Sequence, residues 1–215
     1  MAERVVEGEG IPPNPKEGGL GLSARGMATR QRLLAAAREV ILTRDGTLEV
    51  AEVSARTGCS AGLLYRYFDN KDGLVAAVVD EFYDRYDATV FTARIDSGEG
   101  WLATEHERLR REIDFLCDDP FGPVIVGRRL REPAAAQADA ARLARQVDIA
   151  ARGIARGQRD GELNARIQPE FAAAAVLGAF RELMARALRP GGSAPRAQLL
   201  ELMHAVGTSL LRPED

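Results

Sequence analysis

The residues with the most specific chemistry lie in one stretch of this chain, residues 49–71, EVAEVSARTGCSAGLLYRYFDNK. The stretch combines a helix, a glycine turn, a short second helix and a basic start to a further helix, a layout typical of a DNA-reading helix-turn-helix. Ala61 and Gly62, in the first turn of the second helix, are small enough to let the backbone approach a major groove about 12 Å wide. No other part of the sequence points to a specific class of partner.

The helices that must position these residues are predicted by apolar spacing. Residues three and four apart form the buried faces, and these are Val50, Val53 and Thr57 in the first helix and Leu64 and Phe68 in the second. Gly58 can adopt the positive φ at which a helix stops, and Ser60 is a favourable N-cap for the next helix. A tight turn between two helices is therefore expected.

Lys71 is one of two lysines among 29 basic residues, and the other, Lys16, lies in the N-terminal tail. A cation in the first turn of a helix is not favoured by the helix dipole, so a phosphate partner would explain a lysine at this position. Charge is also uneven along the chain. Residues 23–72 hold eight Lys and Arg against six Asp and Glu, whereas the remainder holds 21 against 26. Positive charge is thus concentrated around the motif.

The segment GCSAGLLYRYFDNKDGL, residues 58–74, resembles the signature G-V-S-x-G-T-L-Y-x-H/Y-F-x-S-K-E-x-L of the tetracycline-repressor-like (TetR) regulators. The resemblance covers residues 27–87 at motif level. It implies that phosphates are contacted by Ser60, Tyr65, Tyr67 and Lys71, and that base edges lie nearest to Ala61, Gly62 and Arg66. Leu63 replaces a threonine of many members and is expected to pack on a thymine methyl group.

Each of these residues also has a purely structural interpretation. Tyr65 and Tyr67 could be half-buried aromatic residues at a helix end, and Lys71 could be an ordinary solvated charge. Glu49 departs from the pattern, since many family members have a Ser or Thr cap there, and its carboxylate would be repelled by a phosphate unless it turned away.

Composition favours a soluble, two-part helical protein. The chain has 215 residues, of which 46% are hydrophobic, and no apolar run approaches the ~20 residues that span a bilayer. Cys59 and Cys117 form no metal or disulfide pattern, and no leader is seen, so a cytoplasmic location is expected. Residues 1–22 are rich in glycine, proline and glutamate and are interpreted as a disordered tail.

An all-α fold of about nine helices is predicted, with a helix-turn-helix head at residues 23–70 and an effector-binding and dimerisation domain at residues 71–211. Proline and glycine punctuate the boundaries. Outside the motif, helices are expected at residues 28–43, 71–87, 101–118, 122–131, 133–160, 169–189 and 194–211. The helix at residues 71–87 would link head and body.

The last two helices are expected to form a homodimer interface. The final helix is apolar over most of its circumference, and the resemblance implies a four-helix interface built by two copies. Burial of both helices within a monomer is the alternative.

Effector-binding residues are predicted from local patterning. His106 lies between Leu102 and Leu109 at helical spacing, which places a polar ring on the inward face of its helix. The other members of this mostly apolar wall are expected to be Phe91, Phe115, Cys117, Phe121 and Val124. A core histidine is the alternative role for His106, and an acid held by Arg128 or Arg129 is the alternative to an apolar effector.

No cofactor, metal site or catalytic residue is expected. The sequence has no glycine-rich phosphate loop, nucleophile elbow or HExxH motif, and its carboxylates are interpreted as lying on solvated faces. The predicted function is a dimeric transcriptional repressor that a small-molecule effector releases from a palindromic double-stranded operator. The alternatives are an architectural DNA-binding protein and an all-helical enzyme.

Overall fold

The computed structural model describes residues 23–95, 100–127, 130, 132–192 and 195–213. Within these ranges the chain forms nine helices and no strand, which confirms the predicted all-α fold. The helices are α1 Ala24–Thr43, α2 Val50–Thr57, α3 Ala61–Phe68, α4 Lys71–Thr89, α5 Trp101–Asp118, α6 Gly122–Val126, α7 Pro133–Arg159, α8 Pro169–Ala187 and α9 Arg196–Leu211. The N-terminal tail, residues 1–22, lies outside the described residues.

Helices α1 to α3 form a compact head whose turn has the predicted chemistry. Gly58 ends α2 in the left-handed conformation at φ 66°, and the Ser60 hydroxyl accepts a hydrogen bond from the Leu63 N–H at 3.2 Å. Leu64 and Phe68 are buried, as their spacing predicts. The turn therefore orients α3 so that its outer side faces solvent.

Helix α4 joins the head to the body. The Asn70 side chain caps its start by accepting from the Gly73 N–H at 2.8 Å, and Gly73 has no room for a side chain because an added Cβ would lie 2.1 Å from the Phe68 carbonyl oxygen. Along its length α4 contacts α1, α3, α5 and α7. Its Phe82 ring is the centre of an aromatic cluster, so one hydrophobic core continues from the head into the body.

The body consists of α5 to α9, with α7 packed on α4 and α8 and with α9 packed on α5 and α8. A second, smaller hydrophobic cluster lies where α7, α8 and the end of α9 meet, and it includes Ile154, Leu163, Ala173 and Leu211. Helix α6 is shorter than the predicted helix over residues 122–131 and ends at Val126. Arg128 and Arg129 lie outside the described residues.

Candidate functional site

The outer side of α3 is open to solvent. Ser60, Ala61, Gly62, Tyr65 and Arg66 are exposed. Arg66 forms no ion pair with any residue in the described ranges, so its guanidinium group is available to a partner. The helix therefore presents small residues at its start and hydrogen-bond donors further along, which is the arrangement that a major-groove helix needs.

The remaining residues predicted to contact DNA are partly covered. Leu63 and Tyr67 are half-buried and pack against the hydrophobic core. Glu49 precedes α2 and makes no capping hydrogen bond through its side chain, in line with its departure from the family pattern. Each predicted DNA-contacting residue thus lies on or beside the exposed surface of α3 or at the start of α4.

Two other arginines of the head form ion pairs within it. Glu52 accepts hydrogen bonds from Arg56 and Arg44 at 2.8 Å each, and these bonds, with that from Arg56 the stronger, lower the pKa of the Glu52 carboxyl group. The bonds connect α2 with the C-terminal end of α1. Arg44 and Arg56 are therefore already partnered, in contrast to Arg66.

Lys71 has an intramolecular partner that the sequence did not reveal. Its Nζ lies 3.2 Å from Oε1 of Glu132, and the same oxygen accepts the Leu48 N–H at 3.1 Å. The Glu132 side chain is buried just before α7, whereas that of Lys71 is 41% exposed. The carboxylate of Glu132 thus connects the body to both the loop before α2 and the start of α4.

A second carboxylate connects the head to the body through Asp119, at the end of α5. Arg38 of α1 donates to its Oδ1, and Arg85 of α4 lies 2.8 Å from its Oδ2. Oδ1 also accepts the Phe121 N–H at 2.8 Å, which fixes the turn into α6. Asp119 therefore connects the junction between α5 and α6 to both α1 and α4.

The body contains a cavity of about 360 Å³ between α5, α7 and α8. Apolar and aromatic side chains form most of its inner wall, among them Phe91, Trp101, Leu109, Ile154, Val176, Leu177 and Phe180. Pockets of this size, mostly apolar with a few polar groups, are usual for small-molecule ligands.

Of the six predicted effector-binding residues, only Phe91 lines this cavity. Phe115 and Phe121 pack around Phe82, with ring centroids 5.5 and 6.0 Å away, and Val124 is buried in the same core. Cys117 is half-buried beside it. These four residues belong to the aromatic core next to α4.

The predicted inward position of His106 is wrong. Its side chain is exposed, and its ring packs edge-on against His204 of α9, with the centroids 4.9 Å apart. The buried face of α5 lies beside this position and does not include it, so the imidazole lies at the edge of the contact between α5 and α9.

The polar wall of the cavity comes from α5 residues that the sequence assigned to solvated faces. Arg108 bonds Glu105 at 3.0 Å through Nε and donates to the Val90 carbonyl oxygen. The Tyr86 hydroxyl donates to Oε1 of Glu112 at 2.6 Å. Burial raises the pKa values of both Glu105 and Glu112, so the prediction that the carboxylates are solvated is wrong for these two.

Helices α8 and α9 expose apolar side chains. Phe171 is 72% exposed and Leu202 is 48% exposed. In contrast, Leu199, Met203 and Leu211 of α9 are buried within the protomer. The predicted apolar circumference of α9 is therefore divided between the core of the protomer and an uncovered side.

The described part of the chain offers no grouping of three or more His, Cys, Asp or Glu side chains suited to a metal ion. Among the helices described, none combines the length and the apolar character that crossing a membrane requires.

Comparison with known proteins identifies a family that the head resembles. Residues 33–78 match the model of the bacterial regulatory proteins of the tetR family. No curated protein sequence matches the chain significantly.

Several solved structures share the fold. A TetR-family transcriptional regulator from Rhodococcus sp. is 22% identical, with a TM-score of 0.67, over 86% of this chain and 98% of that one. SmeT, the repressor of the multidrug efflux pump SmeDEF of Stenotrophomonas maltophilia, is 17% identical, with a TM-score of 0.67, over 85% and 90%. FadR from Bacillus subtilis, solved with stearoyl-CoA, is 16% identical, with a TM-score of 0.67, over 83% and 97%. The chain thus joins a helix-turn-helix segment that matches the tetR family model to an all-α body with the fold of solved TetR-family regulators.

Proposed function

We propose that this protein is a sequence-specific transcriptional repressor that binds a palindromic operator as a homodimer and is released by a small-molecule effector. The observation that carries the proposal is the outer side of α3, which is exposed and presents Arg66 without an intramolecular ion pair in the described part of the chain. Repressor action is also the stated role of SmeT, which shares the fold.

In the proposed complex α3 lies in the major groove. Ala61 and Gly62 allow close approach, Arg66 reads base edges, and Leu63 packs on a thymine methyl group. Phosphates on either side are contacted by Ser60, Tyr65, Tyr67 and Lys71. Phosphate contacts fix the register of the helix, and base contacts supply specificity.

The proposed dimer pairs α8 and α9 with the same helices of a second copy. Phe171 and Leu202 provide exposed apolar area that such an interface would cover. A two-fold dimer presents two copies of α3, which matches an operator with two half-sites one helical turn apart, about 34–36 Å.

The cavity between α5, α7 and α8 is the proposed effector site. Ligand binding there would favour one arrangement of α5 to α7 over another, and that preference is the source of any change in DNA affinity. Asp119 and Glu132 connect this part of the body to α1, α4 and the loop before α2. They provide the physical route by which the head changes position.

The test is a selection of bound sequences from random DNA, repeated with and without a small-molecule library. We expect one inverted-repeat motif from the selection without ligand, and loss of that motif with at least one compound. Recovery of DNA without a shared motif, with binding that depends on salt alone, would instead identify an architectural DNA-binding protein.

A further inference from the structure

The cavity has more acidic than basic groups on its wall. Among the described residues of the wall, the acidic Glu105, Glu112, Asp160 and Glu162 outnumber the basic Arg108 and Arg156. Arg156, Asp160 and Glu162 are exposed at the mouth, whereas the two α5 carboxylates are turned inward. A ligand that enters the cavity therefore meets an excess of negative charge.

The positive charge inside the cavity is already neutralised. Arg108 is bonded to Glu105 through Nε and to the Val90 carbonyl oxygen through one terminal nitrogen. An incoming anion would have to compete with Glu105 for this guanidinium group. The arginine therefore does not make the cavity an anion site.

Glu112 is the wall carboxylate without an ion-pair partner in the described residues, although the positive charges of Arg181 and Arg108 act on it from a greater distance. It is 8% exposed, it lines the cavity, and it forms no ion pair with any residue of the described ranges. Among the described residues, the partner of its side chain is the neutral Tyr86 hydroxyl, which donates to it at 2.6 Å. A buried carboxylate with only a neutral donor is unfavourable by itself, and a cation placed beside it would recover part of that cost.

The rest of the wall suits the body of such a cation. The indole N–H of Trp101 donates to the Gly153 carbonyl oxygen at 3.2 Å, and the ring lines the cavity, where a ligand can contact it. Phe91 and Phe180 add two further aromatic rings. Aromatic faces attract cations, and apolar walls bury the remainder of the molecule.

We infer that the effector is an amphipathic organic cation, with an aromatic or aliphatic body and one positive group that pairs with Glu112. The inference rests on the proposed role of the cavity as the effector site. It names the chemical class of ligand, which the cavity's size and apolar character alone leave open.

The experiment compares three probes with the same naphthylmethyl body and different charge: naphthylmethylamine, naphthylmethanol and naphthylacetate, each as the same positional isomer. Their affinities for the full chain are measured by calorimetry at neutral pH. A charge-assisted hydrogen bond in a buried site corresponds to a preference of about 10-fold or more. We expect the amine to bind more tightly than the alcohol by that factor, and the acetate to bind least tightly.

Glu112→Gln keeps the shape of the side chain and removes its charge. It should bring the affinities for amine and alcohol to within about twofold of each other while leaving the affinity for the alcohol nearly unchanged. Glu107→Gln is the matched control, because Glu107 is on the same helix and loses the same charge but bonds Arg110 and Arg111 outside the cavity. It should keep the wild-type preference.

An unchanged preference in Glu112→Gln, or tightest binding of the acetate, would overturn the inference. Equal binding of all three probes would overturn it too, while leaving the effector cavity in place. Binding of none of them would count against both. Should Glu112→Gln fail to fold, the wild-type ranking of the amine over the acetate decides alone.

Discussion

Replacement of Lys71 by alanine tests two interactions of this lysine, one with Glu132 and one with a DNA phosphate. Within the chain its ammonium group lies 3.2 Å from Glu132. In the proposed complex it contacts a DNA phosphate. Lys71→Ala removes both interactions, and the two losses are measured by different experiments.

The effect on folding should be small. Lys71 is 41% exposed, so solvent screens its ion pair with Glu132, and such pairs contribute at most about 1 kcal/mol. Glu132 also keeps the Leu48 N–H as a hydrogen-bond donor. Urea unfolding should therefore show a loss of about 1 kcal/mol or less.

The effect on DNA binding should be larger. Each phosphate contact contributes about 0.9 to the slope of log affinity against log salt, and a dimer loses two contacts, so the slope should become shallower by about 1.8. The same relation gives a loss of affinity of roughly 10- to 100-fold at about 0.1 M salt.

The assay measures dissociation constants for one fixed operator between about 50 and 200 mM salt. Lys71→Arg, which keeps the charge, should retain the wild-type slope. Glu132→Gln removes the intramolecular competitor and should raise affinity without changing the slope. An unchanged slope in Lys71→Ala would refute the phosphate contact and leave Lys71 as a structural partner of Glu132.

Three further predictions follow from the fold and the cavity. Leu202→Glu places a charge on the exposed side of α9 and should yield monomers in sedimentation with native helical content; a dimer of unchanged stability would rule out this interface. Met203 is unsuitable for that purpose because it is fully buried in the protomer. Gly58→Ala should cost about 1 kcal/mol in urea unfolding through backbone strain at φ 66° alone, since nothing lies within 4 Å of the added Cβ; an unchanged midpoint would contradict the left-handed turn. Burial raises the pKa of Glu112, so its contribution to stability is present below the usual glutamate pKa and is lost as pH rises through the raised value. Glu112→Gln should therefore gain stability relative to wild type as pH rises above the ordinary glutamate pKa, and a pH-independent difference would argue against a buried carboxyl group.

The head could be predicted from sequence because its signals are local. Gly58, Ser60 and the spacing of Leu64 and Phe68 act within one or two helical turns, and the structure places each of them as predicted. The charge contacts between head and body are not local. Glu132 lies 84 residues from Leu48, and Asp119 lies 81 residues from Arg38, and no spacing rule connects residues so far apart.

The cavity was mispredicted for a physical reason on α5. Hydrophobic periodicity treats charged residues as solvated, whereas Glu105, Leu109 and Glu112 are spaced by four and three and so share one face of the helix. On that face Glu105 pairs with Arg108 and Glu112 accepts a hydrogen bond from the Tyr86 hydroxyl, so both carboxyl groups have a polar partner beside the cavity. His106, one position along from Glu105, falls at the edge of the buried stripe and is exposed.

The most direct test of the central claim is the affinity of the full chain for its selected operator with both half-sites intact, compared with the same DNA after one half-site is scrambled. Two linked heads bind with an avidity that exceeds single-site binding by about 100-fold or more. A dimeric repressor should therefore lose at least about 100-fold in affinity on scrambling, at constant salt and DNA length. Equal affinity for the two DNAs would contradict paired reading heads, and with them the proposed repressor.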